Sequence, residues 1–584
     1  MKLDDVRVTE WVRDLDVELV RRLEGAFGRP EGEDGDVRVL LALASAATEA
    51  GDVCLPLEAS ALQEALERRA EEAGLKGMDD VLEAAKSGVA KLGESRLAGA
   101  PEEGRPFVVE GKRLYLRRYW RYEEETAAAL LELAADSAAD ADAAEVDAEI
   151  EAASTGTAKP LRPEQKEALR GALGGRLTVI TGGPGTGKTT VAAHLLKILM
   201  KRGRTQVVAA APTGKAAARL KDSLADAAGG HGVEGVEAMT VDRLLGWQPG
   251  PYFKHDEKNP LRQDVVVVDE TSMLDLPKAA KLLRALGKGT RLVLLGDRNQ
   301  LSSVDPGTVM AEICASARLA GRVKELKESR RFPEGSDVQR LAAAVLDGKE
   351  EAAWARLTGG GDVQWREEKE LDVEKSHAFR ARLAEGYGKF AAAVKAWKAA
   401  PDAEKAGKAK DVLDALDAYR VLCVTRHGPQ GTEAVNRAAA ALLFPGHGKD
   451  ENHDGRVVMV VKNNRDIGLY NGDVGVVLGD KAWFRVDKET ARGVPVFLLP
   501  EHETAFAMTV HKSQGSEFDD VTVLLPGKGC KALLRQELIY TAITRTRKPV
   551  DIWCTETAFK TAVGAKTERN TGLREKLDRP AEEG

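Results

Sequence analysis

The sequence is poor in cysteine and in aromatic side chains. Its 584 residues include five cysteines and 5% aromatic residues, and no two cysteines form a C-x-x-C pair. An odd number of scattered cysteines argues against a disulfide framework, a zinc site and an iron–sulfur cluster. We interpret all five as buried thiols.

Long apolar runs are also missing. No stretch approaches the roughly 18 apolar residues that a membrane-spanning helix requires. The first residues, MKLDDVRVTEWVRDLD, lack the apolar centre of a secretory signal. These two features predict a protein without a membrane segment that stays in the cytoplasm.

An overall excess of basic residues, which would favour contact with phosphate backbones, is missing as well. The chain has 86 Lys plus Arg against 93 Asp plus Glu, a net charge of −7. The charges are unevenly distributed, because residues 1–160 carry 20 basic and 36 acidic side chains, whereas 161–584 carry 66 and 57. An acidic front part is therefore joined to a mildly basic body, and the chain length predicts roughly three to four domains.

The front part has mostly helical character. Residues 1–100 are rich in Ala, Leu and Glu with helical periodicity, which predicts a small helical domain. The apolar runs at 107–109 and 114–116 predict a hairpin. The Ala-, Asp- and Glu-rich stretch from 123 to 160 is typical of a helix that runs into a linker.

From residue 177 onward, short β-branched runs alternate with helical stretches. This alternation predicts parallel sheets covered by helices on both faces. Residues 337–415 are again helical in character. The candidate strands are 177–181, 206–211, 264–268, 291–295, 420–424, 521–525 and 550–554.

A different texture appears at 455–499. Candidate strands follow one another closely there, and an Asn471-Gly472 turn separates two of them. This spacing is typical of a small antiparallel, barrel-like insert. The strands are predicted at 457–461, 474–478, 483–486 and 494–499.

The strongest motif is the glycine-rich loop GGPGTGKT at 182–189, which lies between a predicted strand and a predicted helix. In this context the pattern is typical of a P-loop, whose backbone N–H groups surround a phosphate at a helix N-terminus. Lys188 would reach the β- and γ-phosphates, and Thr189 would ligate Mg²⁺. The predicted nucleotide-binding residues of the loop are Gly182, Gly183, Pro184, Gly185, Thr186, Gly187, Lys188, Thr189 and Thr190.

Two further strands end in polar residues that suit the same site. The apolar run at 265–268 leads into Asp269 and Glu270. After a P-loop, adjacent acids at the end of a buried strand place one on Mg²⁺ and leave the other to orient a water. We therefore expect Asp269 to be a metal ligand and Glu270 the base. Gln300, after the strand at 291–295, is placed to sense the γ-phosphate.

Together with motifs in the second half, this set resembles the superfamily 1 helicases, motors with two RecA-like domains. TVHKSQGSEF at 509–518 resembles motif V, YTAITR at 540–545 resembles motif VI, and SRRF at 329–332 resembles motif IV. The resemblance narrows to the RecD family, the alpha subunit of exodeoxyribonuclease V. The segments that carry it are DETSM at 269–273, GLYNGD at 468–473, VCLPL at 53–57 and TERNTGL at 567–573.

The resemblance implies roles for further residues. Arg331 and Arg545 would supply the cations that phosphoryl transfer needs from outside the P-loop. Gln165 would read the adenine, and Gly515 and Glu517 would contact the nucleotide. The residues that follow the predicted strand 206–211 resemble an element that contacts DNA phosphates. The implied DNA-binding residues are Pro212, Thr213, Gly214, Lys215, Thr240, Thr509, His511, Lys512 and Ser513.

The expected fold is α/β, with two RecA-like P-loop domains, a small SH3-like β-barrel insert and an N-terminal helical domain. Residues 1–115 would form the partner-binding domain, 116–160 a linker and 161–328 the first RecA-like domain. The second RecA-like domain would comprise 329–436 and 500–584, interrupted by the insert at 437–499.

The implied function is ATP-dependent 5′→3′ translocation on single-stranded DNA and unwinding from duplex ends, in a heterotrimer with RecB-like and RecC-like subunits. No nuclease constellation is recognisable in the chain. Two alternatives stay open: a free-standing RecD-like or Pif1-like helicase, and an ATP-dependent assembly switch without translocation.

Overall fold

The computed structural model describes most of the chain. The described residues are 3–8, 10–27, 34–136, 143–155, 160–227, 236–248, 250, 252–332, 335–367, 371–447, 451–464, 466–487, 490–527, 530 and 533–580.

The N-terminal part is α+β rather than purely helical. The predicted hairpin is confirmed, and it belongs to a sheet with the strand order β1-β4-β3-β2. The sequence suggested only helices around the hairpin because β1 and β2 are too short to show a period of two. The strands are β1 Cys54–Pro56, β2 Ala98–Gly99, β3 Phe107–Glu110 and β4 Arg113–Leu116; the helices are α1 Leu3–Val8, α2 Asp14–Phe27, α3 Gly35–Ala47, α4 Ala59–Ala73, α5 Met78–Lys91, α6 Arg117–Ala135 and α7 Ala143–Thr155.

The segment expected to be a linker contains α6 and α7. Its residues 137–142 and 156–159 lie outside the described ranges. Leu130 and Leu133 of α6 are buried, and Arg284 forms an ion pair with Glu125 of the same helix. Ile150 of α7 is buried in an apolar cluster with α8 and α9, so both helices pack on the body of the protein.

The first P-loop domain is built on a parallel sheet in the order β10-β5-β9-β8-β6-β7. The four predicted strands are confirmed. The edge strands β7 and β10 were missed because only half of each short sequence, EAMT and VKEL, is apolar. The strands are β5 Leu177–Gly182, β6 Val207–Ala211, β7 Glu237–Thr240, β8 Val265–Val268, β9 Arg291–Gly296 and β10 Val323–Leu326; the helices are α8 Pro163–Leu173, α9 Lys188–Lys201, α10 Gly214–Ala227, α11 Val241–Leu244, α12 Leu276–Ala285 and α13 Val309–Ala315.

The rest of the chain forms a second parallel sheet, β11-β20-β19-β12-β18, and an antiparallel sheet, β16-β15-β14-β13-β17. The strands are β11 Val363–Arg366, β12 Tyr419–Cys423, β13 Val457–Val460, β14 Val474–Leu478, β15 Lys481–Arg485, β16 Ala491–Pro495, β17 His502–Thr504, β18 Ala507–Thr509, β19 Asp520–Leu524 and β20 Val550–Trp553. The helices are α14 Asp337–Leu346, α15 Glu350–Thr358, α16 His377–Gly386, α17 Gly388–Ala399, α18 Lys405–Asp417, α19 Thr432–Leu443, α20 Gln536–Ile543, α21 Glu556–Gly564 and α22 Leu573–Asp578.

The prediction of a strand at 494–499 is wrong. The strand β16 ends at Pro495, and a 3₁₀ turn, Val496–Leu498, follows it. Pro495 has no N–H to donate to a ladder, which favours the end of a strand at this position. The apolar run after it looked like a strand in the sequence.

The chain end returns to the N-terminal part. Leu573 and Leu577 of α22 belong to the same buried apolar cluster as the N-terminal helices and one face of the first parallel sheet. Cys54, Cys423 and Cys554 are buried free thiols, whereas Cys314 and Cys530 are half-buried. Within the described ranges, every helix is too short or too polar to cross a lipid bilayer.

Candidate nucleotide-binding site

The glycine-rich loop has the backbone geometry that a phosphate cradle needs. It connects β5 to α9, and φ is +76° at Gly185 and +90° at Gly187. These left-handed conformations favour glycine because it has no Cβ. Lys188 begins α9 and folds back over the loop, where Nζ donates to the carbonyl oxygens of Gly182 (2.5 Å) and Gly183 (3.2 Å).

The side-chain amide of Gln165 holds the glycine-rich loop in place through hydrogen bonds. Its Nε2 donates to the carbonyl oxygen of Thr186 (3.0 Å), and its Oε1 accepts from the backbone N–H of Arg162 (3.0 Å). The side chain is buried, and a Cβ on Gly187 would collide with it. Both ends of the Gln165 amide are therefore used to fix the P-loop to the start of α8.

The two acids lie at the carboxyl end of β8, as predicted. Asp269 Oδ1 accepts from the backbone N–H of Glu270 (2.9 Å). Burial, and then the neighbouring charge of Glu270, raise the pKa of Asp269 above its ordinary value. Glu270 has a φ of +51°, an uncommon conformation for a residue with a side chain. Such local strain is concentrated at functional sites.

Gln300 and Asp297 follow β9. Gln300 Nε2 and the hydroxyl of Tyr540 both donate to Asp297 Oδ2, at 3.3 Å and 3.0 Å. Among the described residues, no partner lies within hydrogen-bond distance of Oε1 of the buried Gln300. A buried acceptor without a partner is costly, so it fits a site that takes up a donor such as water.

Arginines from both domains gather opposite the acids. Arg331 donates from Nη1 to the carbonyl oxygen of Thr544 (2.9 Å), and its other terminal nitrogen pairs with Glu517. Burial, followed by the neighbouring cations Arg219 and Arg545, lowers the pKa of Arg331 to about 9. Clustered guanidiniums of this kind favour binding of an anion.

Arg545 is buried and held by backbone oxygens. Its Nε donates to Thr541 O (3.1 Å), and its Nη1 donates to Ser516 O (3.3 Å). Burial lowers its pKa, and the nearby charge of Glu270 opposes that effect. The arginine from the second domain thus faces the acid from the first.

Two residues in the site were not predicted. Arg219 of α10 donates to the carbonyl oxygen of Gly515 (3.1 Å) and pairs with Glu517, and Tyr540 reaches the P-loop. A Cβ on Gly183 would lie 3.0 Å from the Tyr540 hydroxyl. Helical periodicity could have placed Arg219 on the face of α10 that also carries Ala216, but the contact partner could not be inferred.

These groups line one cleft of about 440 Å³. Four of the predicted nucleotide-binding residues do not line the cleft directly: Gly182, Gly183, Thr186 and Gly515. The lining side chains and backbone belong to Gln165, Pro184, Gly185, Gly187, Lys188, Thr189, Thr190, Ala216, Arg219, Leu220, Ser223, Asp269, Glu270, Gln300, Arg330, Arg331, Glu517 and Arg545.

The cleft fits a nucleotide with a divalent cation. Within the described ranges, no group of three or more His, Cys, Asp or Glu side chains could hold a metal alone. A hydroxyl and one carboxylate, Thr189 and Asp269, match Mg²⁺, which usually takes few protein ligands besides phosphates and water. The free acceptor of Gln300 and the arginine cluster fit phosphate and an attacking water.

Two of the predicted DNA-binding residues at the end of β6, Thr213 and Gly214, make contacts within the protein. Thr213 Oγ1 accepts from the backbone N–H of Ala216 (3.2 Å) and caps α10. A Cβ on Gly214 would lie 3.0 Å from Cβ of Tyr470, so the turn packs against the antiparallel insert. Burial lowers the pKa of Lys215 to about 8.

Thr240 and Thr509 each accept a hydrogen bond from the backbone N–H three residues later. Thr240 Oγ1 accepts from the backbone N–H of Arg243 (3.2 Å) and caps α11. Thr509 Oγ1 accepts from the N–H of Lys512 (3.3 Å), and Lys512 Nζ pairs with Glu503 (2.7 Å). Burial lowers the pKa of His511.

The prediction for Ser513 needs correction. Its side chain is fully buried, and its hydroxyl donates to the carbonyl oxygen of Val510 (2.7 Å). Ser513 therefore stabilises the 3₁₀ turn His511–Ser513 instead of presenting a hydroxyl at the surface. Pro212 lies half-buried beside Thr213.

The parallel sheets, the P-loop and the paired acids define a P-loop NTPase whose site takes groups from two domains. Family models match three parts of the chain: the N-terminal domain of the RecBCD enzyme subunit RecD at 8–115, an AAA domain at 160–368, and a UvrD-like helicase C-terminal domain at 504–551.

Curated relatives agree with this division. The chain is 36% identical to the RecBCD enzyme subunit RecD of Mycolicibacterium smegmatis over 98% of both chains. It is 32% identical to the same subunit of Haemophilus influenzae over 71% of this chain and 72% of that protein. The chain belongs to the RecD family.

More distant matches include helicases. The ATP-dependent RecD2 DNA helicase of Deinococcus radiodurans is 32% identical over 72% of this chain and 53% of that protein. A solved structure, Bacteroides Pif1 bound to single-stranded DNA, is 18% identical with a TM-score of 0.40, covering 70% of this chain and 94% of that one.

Proposed function

We propose that this chain is an ATP-dependent DNA helicase, the motor subunit of a RecBCD-type helicase–nuclease in double-strand-break repair and recombination. The observation that carries the proposal is the cleft itself. The P-loop lysine and the two acids of the first domain line the same cleft as Arg331 and Arg545, which lie on the side of the second domain. Such an arrangement lets phosphoryl transfer open and close two domains.

Each group in the cleft receives one task. Lys188 and the backbone N–H groups of the P-loop, which Pro184 lacks, would bind the phosphates, and Thr189 and Asp269 would hold Mg²⁺. MgATP supplies the phosphoryl group whose transfer drives movement. Glu270 orients a water and accepts its proton, and Gln300 holds that water through its unpartnered oxygen.

The arginines stabilise the developing charge. Arg331 and Arg545 would face the phosphates, with Arg219 as a further cation from the first domain. Gln165 supports the P-loop and would read the adenine, Glu517 contacts the nucleotide from the second domain, and Gly515, behind the lining, accepts from Arg219. An arginine that completes a site of this kind raises the rate by about 10³ to 10⁵ in related NTPases.

The strand path follows the ends of the parallel strands across both domains. Small hydroxyl, backbone and basic groups there contact phosphates without reading bases, so binding is to single-stranded DNA and depends on salt. The proposed contacts are Pro212, Thr213, Gly214, Lys215, Thr240, Thr509, His511 and Lys512.

The finer domain layout belongs to the same proposal. The two parallel sheets are RecA-like domains, and the antiparallel sheet with its buried Val458, Val477 and Phe484 is an SH3-like insert. Residues 1–115 dock on a RecC-like subunit of a cytoplasmic complex that also holds a RecB-like subunit. Translocation runs 5′→3′ from duplex ends.

Strand polarity and partner dependence test this proposal. The wild-type chain, alone and with its partner subunits, is offered duplexes with a 5′ or a 3′ single-stranded tail. Unwinding of the 5′-tailed duplex is expected. A preference for the 3′ tail would contradict the RecD-type assignment, and ATP hydrolysis without movement on either substrate would favour an assembly switch.

Two alternatives are separated by co-purification. A free-standing RecD-like or Pif1-like helicase would purify and unwind alone. The match of residues 8–115 to the RecD N-terminal domain supports the subunit instead.

A further inference from the structure

The turn that follows Gln300 is held by a residue from the far end of the chain. Arg569, after α21, donates from Nη1 to the carbonyl oxygens of Asp305 (3.0 Å) and Gly307 (3.2 Å). Its Nη2 donates to the carbonyl oxygen of Ser303 (2.5 Å). One guanidinium thereby binds three backbone carbonyls of a single turn.

The N-terminal part reaches the same turn. The backbone N–H of Gly307 donates to the carbonyl oxygen of Gly51 (3.1 Å). Gly51 has a φ of +88°, and a Cβ at this position would lie 2.6 Å from Cζ of Arg569. The guanidinium occupies the space that any side chain at position 51 would need.

Asn570 fixes the adjoining backbone to the N-terminal part. Its carbonyl oxygen accepts from the N–H groups of Val53 (2.8 Å) and Cys54 (3.3 Å). Its own N–H donates to Asp52 Oδ1 (2.6 Å). Residues 569 and 570 therefore lie between the N-terminal part and the first P-loop domain and contact both.

The same turn continues into the nucleotide cleft. The N–H of Leu301 donates to Thr541 Oγ1 (3.1 Å), and its carbonyl oxygen accepts from Gln514 Nε2 (2.9 Å). Leu301 directly follows Gln300, whose side chain lines the cleft. Any displacement of the turn at 303–307 would therefore occur next to Gln300, both along the chain and in space.

We propose that Arg569 is a positioning residue that couples the N-terminal part to Gln300 through the turn at 303–307. The inference rests on the proposed function, because it concerns the rate of nucleotide hydrolysis. A protein partner that docks on the N-terminal part and shifts Gly51 and Asn570 would move Arg569 with them. The turn and Gln300 would follow.

The chemistry of the side chain suits this task. A guanidinium presents several donors in a rigid plane, whereas a lysine ammonium is a point charge on a flexible stem. Three charge-assisted hydrogen bonds from one plane fix the turn in position and orientation. Misplacing a catalytic group by about 1 Å can cost on the order of 10²-fold in rate.

The test uses the full-length protein and four variants: Arg569→Ala, Arg569→Lys, Gly51→Ala and Arg579→Ala. Arg579 is the matched control, because it ties the same C-terminal segment to the N-terminal part by donating to Glu110 Oε1 (3.0 Å). For each variant, kcat and KM for ATP are measured at saturating single-stranded DNA. Thermal unfolding is followed in parallel.

We expect Arg569→Ala to lower kcat roughly tenfold while KM for ATP changes by less than about threefold, as for a misplaced catalytic group. Arg569→Lys recovers part of the loss, and Gly51→Ala lowers kcat in the same direction. Arg579→Ala keeps the wild-type kcat, because its exposed guanidinium contacts Glu110 and not the turn at 303–307.

Equal kcat values for Arg569→Ala and Arg579→Ala would overturn the proposal. So would a loss of rate that only tracks the loss of thermal midpoint. If Arg569→Ala does not fold, wild-type rates in Arg569→Lys and Gly51→Ala would overturn it. A wild-type protein that hydrolyses no ATP would instead contradict the proposed function.

Discussion

The hydroxyl of Tyr540 donates a hydrogen bond to Asp297 Oδ2 across a distance of 3.0 Å, joining the two parallel-sheet domains beside the P-loop. Asp297 also accepts from Gln300, so the bond connects α20 to a side chain that lines the cleft. A change in the angle between the domains would therefore change the surroundings of Gln300.

Tyr540→Phe removes this connection and nothing else. Losing one buried hydrogen bond costs about 1 kcal/mol in stability. We expect a severalfold lower DNA-stimulated kcat with nearly unchanged KM. Tyr419→Phe is the control, because its hydroxyl bonds to Thr522 (2.9 Å) within the second domain. A similar kcat in both variants would show that the bond plays no part in coupling.

Arg219 gives a second prediction. It pairs with Glu517 across the cleft and lies near Glu270, whose charge opposes the lowering of its pKa by burial. Arg219→Ala is expected to reduce kcat for ATP by at least about tenfold, since cations at this position stabilise the developing charge. Arg219→Lys should retain part of the rate, and the exposed neighbour Lys221→Ala all of it. Steady-state kinetics with wild-type rates for Arg219→Ala would exclude this role.

Stability should depend on pH through Glu123. Burial raises its pKa to about 7, against hydrogen bonds from Thr571 (2.6 Å) and the Gly572 N–H (2.8 Å) that favour the charged form. The folded state therefore holds the proton more tightly than the unfolded chain. The contribution of Glu123 to stability falls as pH rises from its ordinary value to about 7.

Glu123→Gln imitates the protonated acid and removes this dependence. We expect it to raise the free energy of unfolding by about 1–3 kcal/mol at pH 8 and to change it little at pH 4.5. The measurement is thermal or urea unfolding at both pH values. Glu125→Gln on the same helix is the control, and an equal effect of Glu123→Gln at both pH values would refute the explanation.

Lys512 tests the DNA path. Its Nζ pairs with Glu503 Oε1 at 2.7 Å. Lys512→Ala should weaken single-stranded DNA binding and reduce the salt slope of log K by about 1, whereas Glu503→Gln should strengthen binding. Fluorescence titrations at several salt concentrations measure both. An unchanged slope in Lys512→Ala, equal to that of Lys560→Ala, would remove Lys512 from the path.

Much of the nucleotide site follows from local sequence. Asp269 comes directly after a buried, β-branched strand, and Lys188 follows another such strand across the glycine-rich loop 183–187, so their place at the edge of a parallel sheet could be predicted. Arg219 and Tyr540 could not, because their contacts depend on how two domains face each other. Residues far apart in the chain, such as Gly51 and Arg569, leave no shared pattern.

The same limit explains the errors in the fold. The central strands β5, β6, β8 and β9 are buried and apolar, and their sequence shows it. Edge strands such as β7 are partly exposed and only half apolar, so tertiary pairing decides their structure. The fully buried Ser513 resembles its polar neighbours in sequence, and only packing shows that it supports a turn.

The most direct test of the account is ATP hydrolysis by the purified chain and by Lys188→Ala, each with and without single-stranded DNA. We predict that DNA stimulates the wild-type rate severalfold and that Lys188→Ala abolishes hydrolysis in both conditions while remaining folded. A wild-type rate indifferent to DNA, both in isolation and with partner subunits, would contradict the motor function.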